Sequence, residues 1–201
     1  MKDIQWKNEQ SVTMSPHAEA EDADNKVTTL DNRIYFYSAV TAPQVLTLNK
    51  EIRNLNIKII NHANALDSDP ANLYIHINSY GGSVFAGLAA MDYIRTSKVP
   101  AHTIIDGCAA SAATLMSVVA KERYMHEHSF MLIHQLSSGL WGKYEDLKDD
   151  MKNCDILMKT IKKIYMEYAK IPKSKLSQIL KHDLWFDAKT CLNYGLIDEI
   201  I

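Results

Sequence analysis

With 201 residues and a net charge of −2, the chain is long enough to bury one core, and its acids and bases nearly balance. No Lys/Arg-rich stretch breaks that balance, which argues against a nucleic-acid or anionic-lipid surface. The three cysteines, Cys108, Cys154 and Cys191, are far apart and without CxxC spacing; they exclude a disulfide framework or a zinc site and are expected to be reduced core residues.

The N-terminal MKDIQWKNEQ is charged throughout and reads as neither signal peptide nor membrane segment, so the expected compartment is the cytoplasm. Residues 1–30 are polar and aperiodic, with the acidic run Glu19 to Asp24, and are expected to form a flexible tail or leader, the domain proper starting at about residue 31. From Arg33 the segment IYFY predicts a strand. After Pro43, the spacing of Val45, Leu48, Ile52, Leu55 and Ile59 predicts one face of a helix.

LYIHI, following the turn Asp67 to Pro70, predicts the next strand, and a small-residue helix from Val84 to Thr96 follows Gly81 and Gly82. The strand AHTII, a helix starting near Ser111 and a strand ending at FMLIH continue the alternation. Such alternation predicts an α/β fold with a largely parallel sheet. From Tyr144 to Ala169 a continuous stripe (Tyr144, Leu147, Met151, Cys154, Leu157, Ile161, Ile164, Tyr168) predicts a helix too long for its own domain, part of which should bury its stripe against another subunit. Pro172 ends it, Ser174 is expected to cap a short helix, and Asp187 and Gly195 bracket a last helix before the strand LIDEII.

Four segments carry chemistry. Ser111 in GCAASAA sits among the smallest side chains at a predicted strand-to-helix junction, where unpaired N–H groups favour a developing oxyanion; alone, a serine there is most often a helix cap. The Gly81-Gly82 pair ends a strand, and glycines there allow backbone N–H groups to face a site that a Cβ would obstruct. His134 ends FMLIH and has the intrinsic acidity to take a proton from a serine and return it to a leaving amine. An acid beside the apolar Leu184, Trp185 and Phe186 would be sheltered and fit to hold an imidazole, and by position Asp183 and Asp187 are equal candidates, although Asp187 also suits a helix cap. His126 and His128 lack the spacing of a helical metal pair and are read as a surface turn.

These residues occur in the motifs NSYGGSVFAG, GCAASAATL, MLIHQ and WFDAKTCLNYGLIDEI. By these four motifs, in order and at close to the family's spacing, the chain from about Asp31 to Ile201 resembles the ClpP family, the proteolytic subunits of Clp proteases, and most resembles forms encoded by large tailed phages. The resemblance implies a ClpP/crotonase-type fold of stacked βαβ units, with a head at about 31–134 and 171–201 and a projecting strand and long-helix handle at about 135–170. It implies a serine endopeptidase without metal or organic cofactor: Ser111 the nucleophile, His134 the base, Asp183 rather than Asp187 the third member, and the backbone N–H groups of Gly82 and Ala112 the oxyanion donors. It also implies a homo-oligomer of heptameric rings that encloses a chamber for unfolded polypeptide, and a Clp-type AAA+ ATPase as partner.

There are departures from the family pattern. Tyr80 replaces a proline of the glycine turn, and Lys181 and His182 replace an acid–arginine pair that couples two rings. His76, Thr96, Asp106 and His126 stand among Tyr74, Ile104 and Tyr124 at positions of an apolar ATPase-docking pocket. Other readings are a phage head-maturation protease, a non-catalytic subunit that modulates a host ring, and an acyl-CoA enzyme of the same superfamily, against which stands the lack of a basic site for the CoA phosphates.

Overall fold

Parallel strands cannot be joined by a tight hairpin, so each step across a parallel sheet needs a crossing segment, usually a helix. The order of elements meets that requirement. In the computed structural model, which describes residues 26–139 and 141–201, the strands are β1 (Lys26–Leu30), β2 (Arg33–Tyr37), β3 (Leu73–Ser79), β4 (Ala101–Ala110), β5 (Arg123–Met125), β6 (Phe130–Leu132), β7 (Trp185–Asp187) and β8 (Glu199–Ile200). The helices are α1 (Ala42–Leu66), α2 (Val84–Arg95), α3 (Ala112–Val118), α4 (Tyr144–Tyr168), α5 (Lys173–Ile179) and α6 (Ala188–Asn193). Helices α1, α2 and α3 are the crossings from β2 to β3, β3 to β4 and β4 to β5.

The described strands form one sheet in the order β1-β2-β3-β4-β5-β8, with β6 paired to β4 and β7 paired to β6. Only the β1/β2 and β6/β7 pairings are antiparallel. Ile34 and Phe36 of β2, Ile75 and Ile77 of β3, and Ile105 and Met125 are buried in one core with Leu48, Ile52 and Leu55 of α1, Ala90 and Ile94 of α2, and Leu115 and Met116 of α3. The expected face of α1 is the buried one, with Pro43 in its first turn and Asp67, at φ 49° and ψ 47°, closing its end.

The last third of the chain is anchored by Arg123. Its guanidinium donates to both carboxylate oxygens of Asp198, at 2.8 and 2.6 Å, and to the carbonyls of Tyr168 and Gly195, at 2.7 and 2.8 Å. These bonds hold the Asp198 carboxyl below the usual carboxylate range. A depressed folded-state value stabilises the fold above the unfolded carboxyl's ordinary value near 4, and that stability is lost as pH falls through the folded value. Arg123→Met is expected to cost about 3 kcal/mol at neutral pH. Urea midpoints measured between pH 3 and 7 should show that the wild type loses the Asp198 share of this increment on acidification and the variant does not.

Several elements differ from expectation. Lys26 to Leu30, inside the segment expected to be tail, belong to the sheet, because they pair antiparallel with Tyr37 to Arg33; residues 1–25, including the acidic run, lie outside the described residues. Strands β5 and β7, at three residues each, are too short to show a period of two. Ser174 lies within α5, whose cap position is Pro172, and caps nothing. Only Cys191 is a core residue; Cys108 and Cys154 are half-buried, and all three are free thiols.

Helix α4 divides in two. Its C-terminal part buries Ile161, Ile164 and Tyr165 in the core, whereas Tyr144, Met151 and Ile156 are more than half exposed. No helix among the described residues is long and apolar enough to cross a membrane.

Candidate active site

The pairing registers carry the candidate residues to one end of the sheet. Strands β4 and β6 run parallel with Ala110 opposite Leu132, so the residues that follow, Ser111 and Ile133 with His134, emerge side by side. The Ser111 N–H donates to the Leu132 carbonyl at 2.8 Å and fixes that neighbourhood. Strands β6 and β7 run antiparallel with Leu132 opposite Trp185, and continuing that register by two residues sets His134 opposite Asp183. Strand β3 enters from the other flank with Ser79 opposite Ala109, which brings Gly81 to Ser111. All of this lies beyond the C-terminal ends of parallel strands, where open α/β sheets place their ligand crevices.

Ser111 occupies the N-cap position of α3 at φ 53° and ψ −125°, a region a residue with a Cβ adopts only under strain, and its side chain makes no cap bond. The glycines also have a packing reason besides the one expected. A Cβ on Gly81 would stand 2.5 Å from the Ala110 carbonyl oxygen and 2.7 Å from the Ser111 Cβ, and one on Gly82 would stand 2.5 Å from the Val40 carbonyl oxygen. The pair is needed because the glycine turn packs against the Ser111 turn on one side and the Val40 backbone on the other, before any ligand is considered. At φ 94°, Gly81→Ala is expected to destabilise the fold by about 3 kcal/mol through strain and overlap. Thermal unfolding would read the loss, and a crystal structure of the variant should show the Ser111 turn displaced.

The Nδ1 of His134 lies 3.2 Å from Oδ1 of Asp183. The imidazole side chain is 12% exposed and the carboxylate 75%, so Asp183 is not the sheltered acid the neighbouring Leu184, Trp185 and Phe186 suggested. Leu184 is itself 61% exposed, because the segment between α5 and β7 runs over the surface. Asp187 is engaged elsewhere. It caps α6, accepting from the Thr190 N–H at 2.8 Å, and the Thr190 hydroxyl together with that N–H holds its carboxyl below the usual range.

Ser111 and His134 share the wall of a cleft of about 890 Å³, together with Gly82, Ser83, Phe85, residues 135–139 and the α4 residues Asn153, Cys154, Leu157 and Ile161. A serine hydroxyl, an imidazole with a carboxylate behind it and an apolar wall are parts that acyl transfer can use. No group of three or more His, Cys, Asp or Glu side chains among the described residues is arranged to hold a metal ion.

A second polar group was visible in the sequence only as departures. On the sheet, Arg33 Nη1 lies 2.9 Å from His76 Nε2, and His76 Nδ1 lies 2.9 Å from both oxygens of Asp106. A guanidinium only donates, so Nε2 accepts and the Nδ1–H goes to Asp106. Tyr37 also donates its hydroxyl to Asp106, Tyr35 stacks on the His76 ring, and His126 Nε2 stands 3.4 Å from Asp106. Burial raises the Asp106 carboxyl, but the bonds from His76 and Tyr37 outweigh it and hold the group below the usual range. His126 and His128 are exposed at a turn, as their spacing suggested.

The Clp protease family model matches residues 29–201. The ATP-dependent Clp protease proteolytic subunit 2 of Treponema denticola is 30% identical over 181 residues, which are 88% of this chain and 90% of that protein. The ATP-dependent Clp protease proteolytic subunit of Streptococcus mutans is 34% identical over 173 residues, 82% of this chain and 88% of that protein. The solved structure of a point mutant of ClpP1 from Listeria monocytogenes shares the fold, with a TM-score of 0.72 at 20% identity, over 85% of this chain and 91% of that one. The strands that carry Gly81, Ser111, His134 and Asp183, and the long helix behind the cleft, all fall within the matched span, and the chain belongs to the Clp protease family.

Proposed function

We propose that the chain is a serine endopeptidase that hydrolyses unfolded polypeptide, with Ser111 as nucleophile, His134 as general base and Asp183 as the residue that orients the imidazole. The observation that carries this reading is a single cleft whose wall holds Ser111, its hydroxyl not used as a helix cap, and His134, its Nδ1 3.2 Å from a carboxylate. With Nδ1–H directed to Asp183, Nε2 is left to take the proton of the Ser111 hydroxyl as its oxygen attacks a peptide carbonyl. The carbonyl oxygen then bears the charge, and the proposed donors to it are the N–H groups of Gly82 and of Ala112, the first residue of α3, whose N–H has no partner within its helix. His134 returns the proton to the amine as the C–N bond breaks. Water, deprotonated by the same nitrogen, then hydrolyses the acyl ester and restores Ser111.

Residues 135–170 form the proposed handle. The exposed Tyr144, Met151 and Ile156 at the front of α4 support packing against further copies of the chain, in heptameric rings that enclose the cleft in a chamber. An unfolded segment would lie extended along the Gly81-Gly82 edge and residues 135–139, held mainly by backbone bonds. A Clp-type ATPase is the proposed source of unfolded substrate. Its loops would meet the polar Arg33–His76–Asp106 group where the family has an apolar pocket, so weaker docking than in the family is expected. The proposed compartment is the cytoplasm.

The test is reaction of the native protein with a fluorophosphonate, followed by peptide mapping and native mass measurement. A single adduct on Ser111, loss of hydrolysis of an unfolded polypeptide, and a mass of seven or fourteen chains are expected. Undiminished hydrolysis with Ser111 unmodified would remove the assignment.

A further inference from the structure

Tyr165 belongs to the buried end of α4, is 2% exposed, and reaches the turn that carries Ser111. Its hydroxyl oxygen lies 2.5 Å from Thr114 Oγ1, which lies 2.6 Å from the carbonyl oxygen of Ser111. The direction of these bonds follows from the donor inventory. A carbonyl only accepts, so the one proton of Thr114 goes to Ser111, and the proton between Thr114 and Tyr165 must come from the phenol. Burial pushes the ionisation of Tyr165 far above its ordinary value, so the phenol remains a donor wherever the fold persists.

The Ser111 carbonyl therefore receives two bonds, from the Thr114 hydroxyl and from the Thr114 N–H at 3.0 Å, while the Ser111 N–H is fixed on Leu132. A residue held at φ 53° relaxes unless the groups on both sides of it are restrained. We propose that Tyr165 is a positioning residue for Ser111: through Thr114 it holds the carbonyl of the strained turn, and with it the aim of the serine hydroxyl, tying the reactive turn to the long helix. This rests on Ser111 being the nucleophile. It adds a dependence of that nucleophile on a phenol in α4, which stands at the buried back of the same cleft and acts on Ser111 through Thr114.

The test compares Tyr165→Phe, Thr114→Val, the double variant and Thr114→Ser in the full-length assembled protein. Three readouts are needed: the rate of fluorophosphonate acylation at Ser111, kcat and KM for a fluorogenic peptide, and the thermal midpoint. Tyr165→Phe and Thr114→Val are each expected to slow acylation and lower kcat about tenfold, the effect of about one hydrogen bond, with KM within about twofold. The double variant should be no slower than the slower single variant, since both break one chain of bonds, and Thr114→Ser should recover the rate that Thr114→Val loses. Acylation at the wild-type rate in Tyr165→Phe, with only the thermal midpoint lowered, would overturn the relay and leave Tyr165 a core residue. Multiplicative losses in the double variant would overturn it as well. Should Tyr165→Phe fail to fold, the contrast between Thr114→Val and Thr114→Ser decides the matter. A wild type that does not acylate at Ser111 overturns the nucleophile assignment itself, and is seen before any variant is compared.

Discussion

Peptide hydrolysis by Ser111→Ala is expected to fall by about four orders of magnitude or more, with the fold and assembly kept. The nucleophile cannot be replaced by water in the same geometry, and in serine hydrolases its removal leaves only the catalysis supplied by oxyanion donors and binding. The substitution is mild for the fold because the Ser111 hydroxyl caps nothing, and because alanine bears the same Cβ that makes φ 53° unfavourable for serine. Steady-state peptide hydrolysis, paired with the thermal midpoint and native mass, measures both halves of the expectation. Hydrolysis within tenfold of wild type in a well-folded variant would place the chemistry elsewhere.

Asp183→Asn should lower kcat by about 10² to 10³, with KM nearly unchanged. An amide beside Nδ1 no longer enforces the tautomer in which Nε2 carries no proton and can accept one, a change that costs about 10⁴ where the carboxylate is buried. Here the side chain is 75% exposed, and solvent is expected to take over part of its role, which lowers the loss. Asp187→Ala is the control: it removes the cap of α6 and should lower the thermal midpoint while leaving kcat intact. Equal losses of kcat in the two variants would mean that neither carboxylate has the specific role proposed.

Much of the α/β alternation was legible in the sequence because α1, α2 and α4 are long enough to display their period and the central strands are rich in β-branched residues. Strands β5 and β7 were not legible, and β7 is the one that sets which of the two acids stands beside His134. Its register against β6 puts Asp187 opposite Phe130, four residues and about 13 Å along the strand from Asp183. No local pattern in KHDLWFDA carries that information, since it depends on pairing with residues more than fifty positions earlier. The Tyr165–Thr114–Ser111 contact was hidden for a related reason. Tyr165 falls beside the apolar stripe of α4 with nothing in the sequence to single it out, and only the packing of α4 on α3 brings its hydroxyl to Thr114.

The outer polar group had the opposite fate. His76, Asp106 and His126 stood out one at a time as substitutions at pocket positions, without sign that they bond to one another. Parallel pairing of β2 with β3 aligns Tyr35 with His76, and the pairing of β3 with β4 carries His76 near Asp106, which turns separate replacements into one network.

Because the imidazole and its carboxylate face each other as an extension of a two-stranded ladder, their meeting depends on parity. Deleting or inserting one residue between Asp183 and Trp185 would flip the acid to the far side of the ribbon. A change of two would keep the side but slide the acid about 7 Å along it. A change of length in this short stretch is therefore expected to damage the proposed reaction far more than substitution of the exposed Leu184.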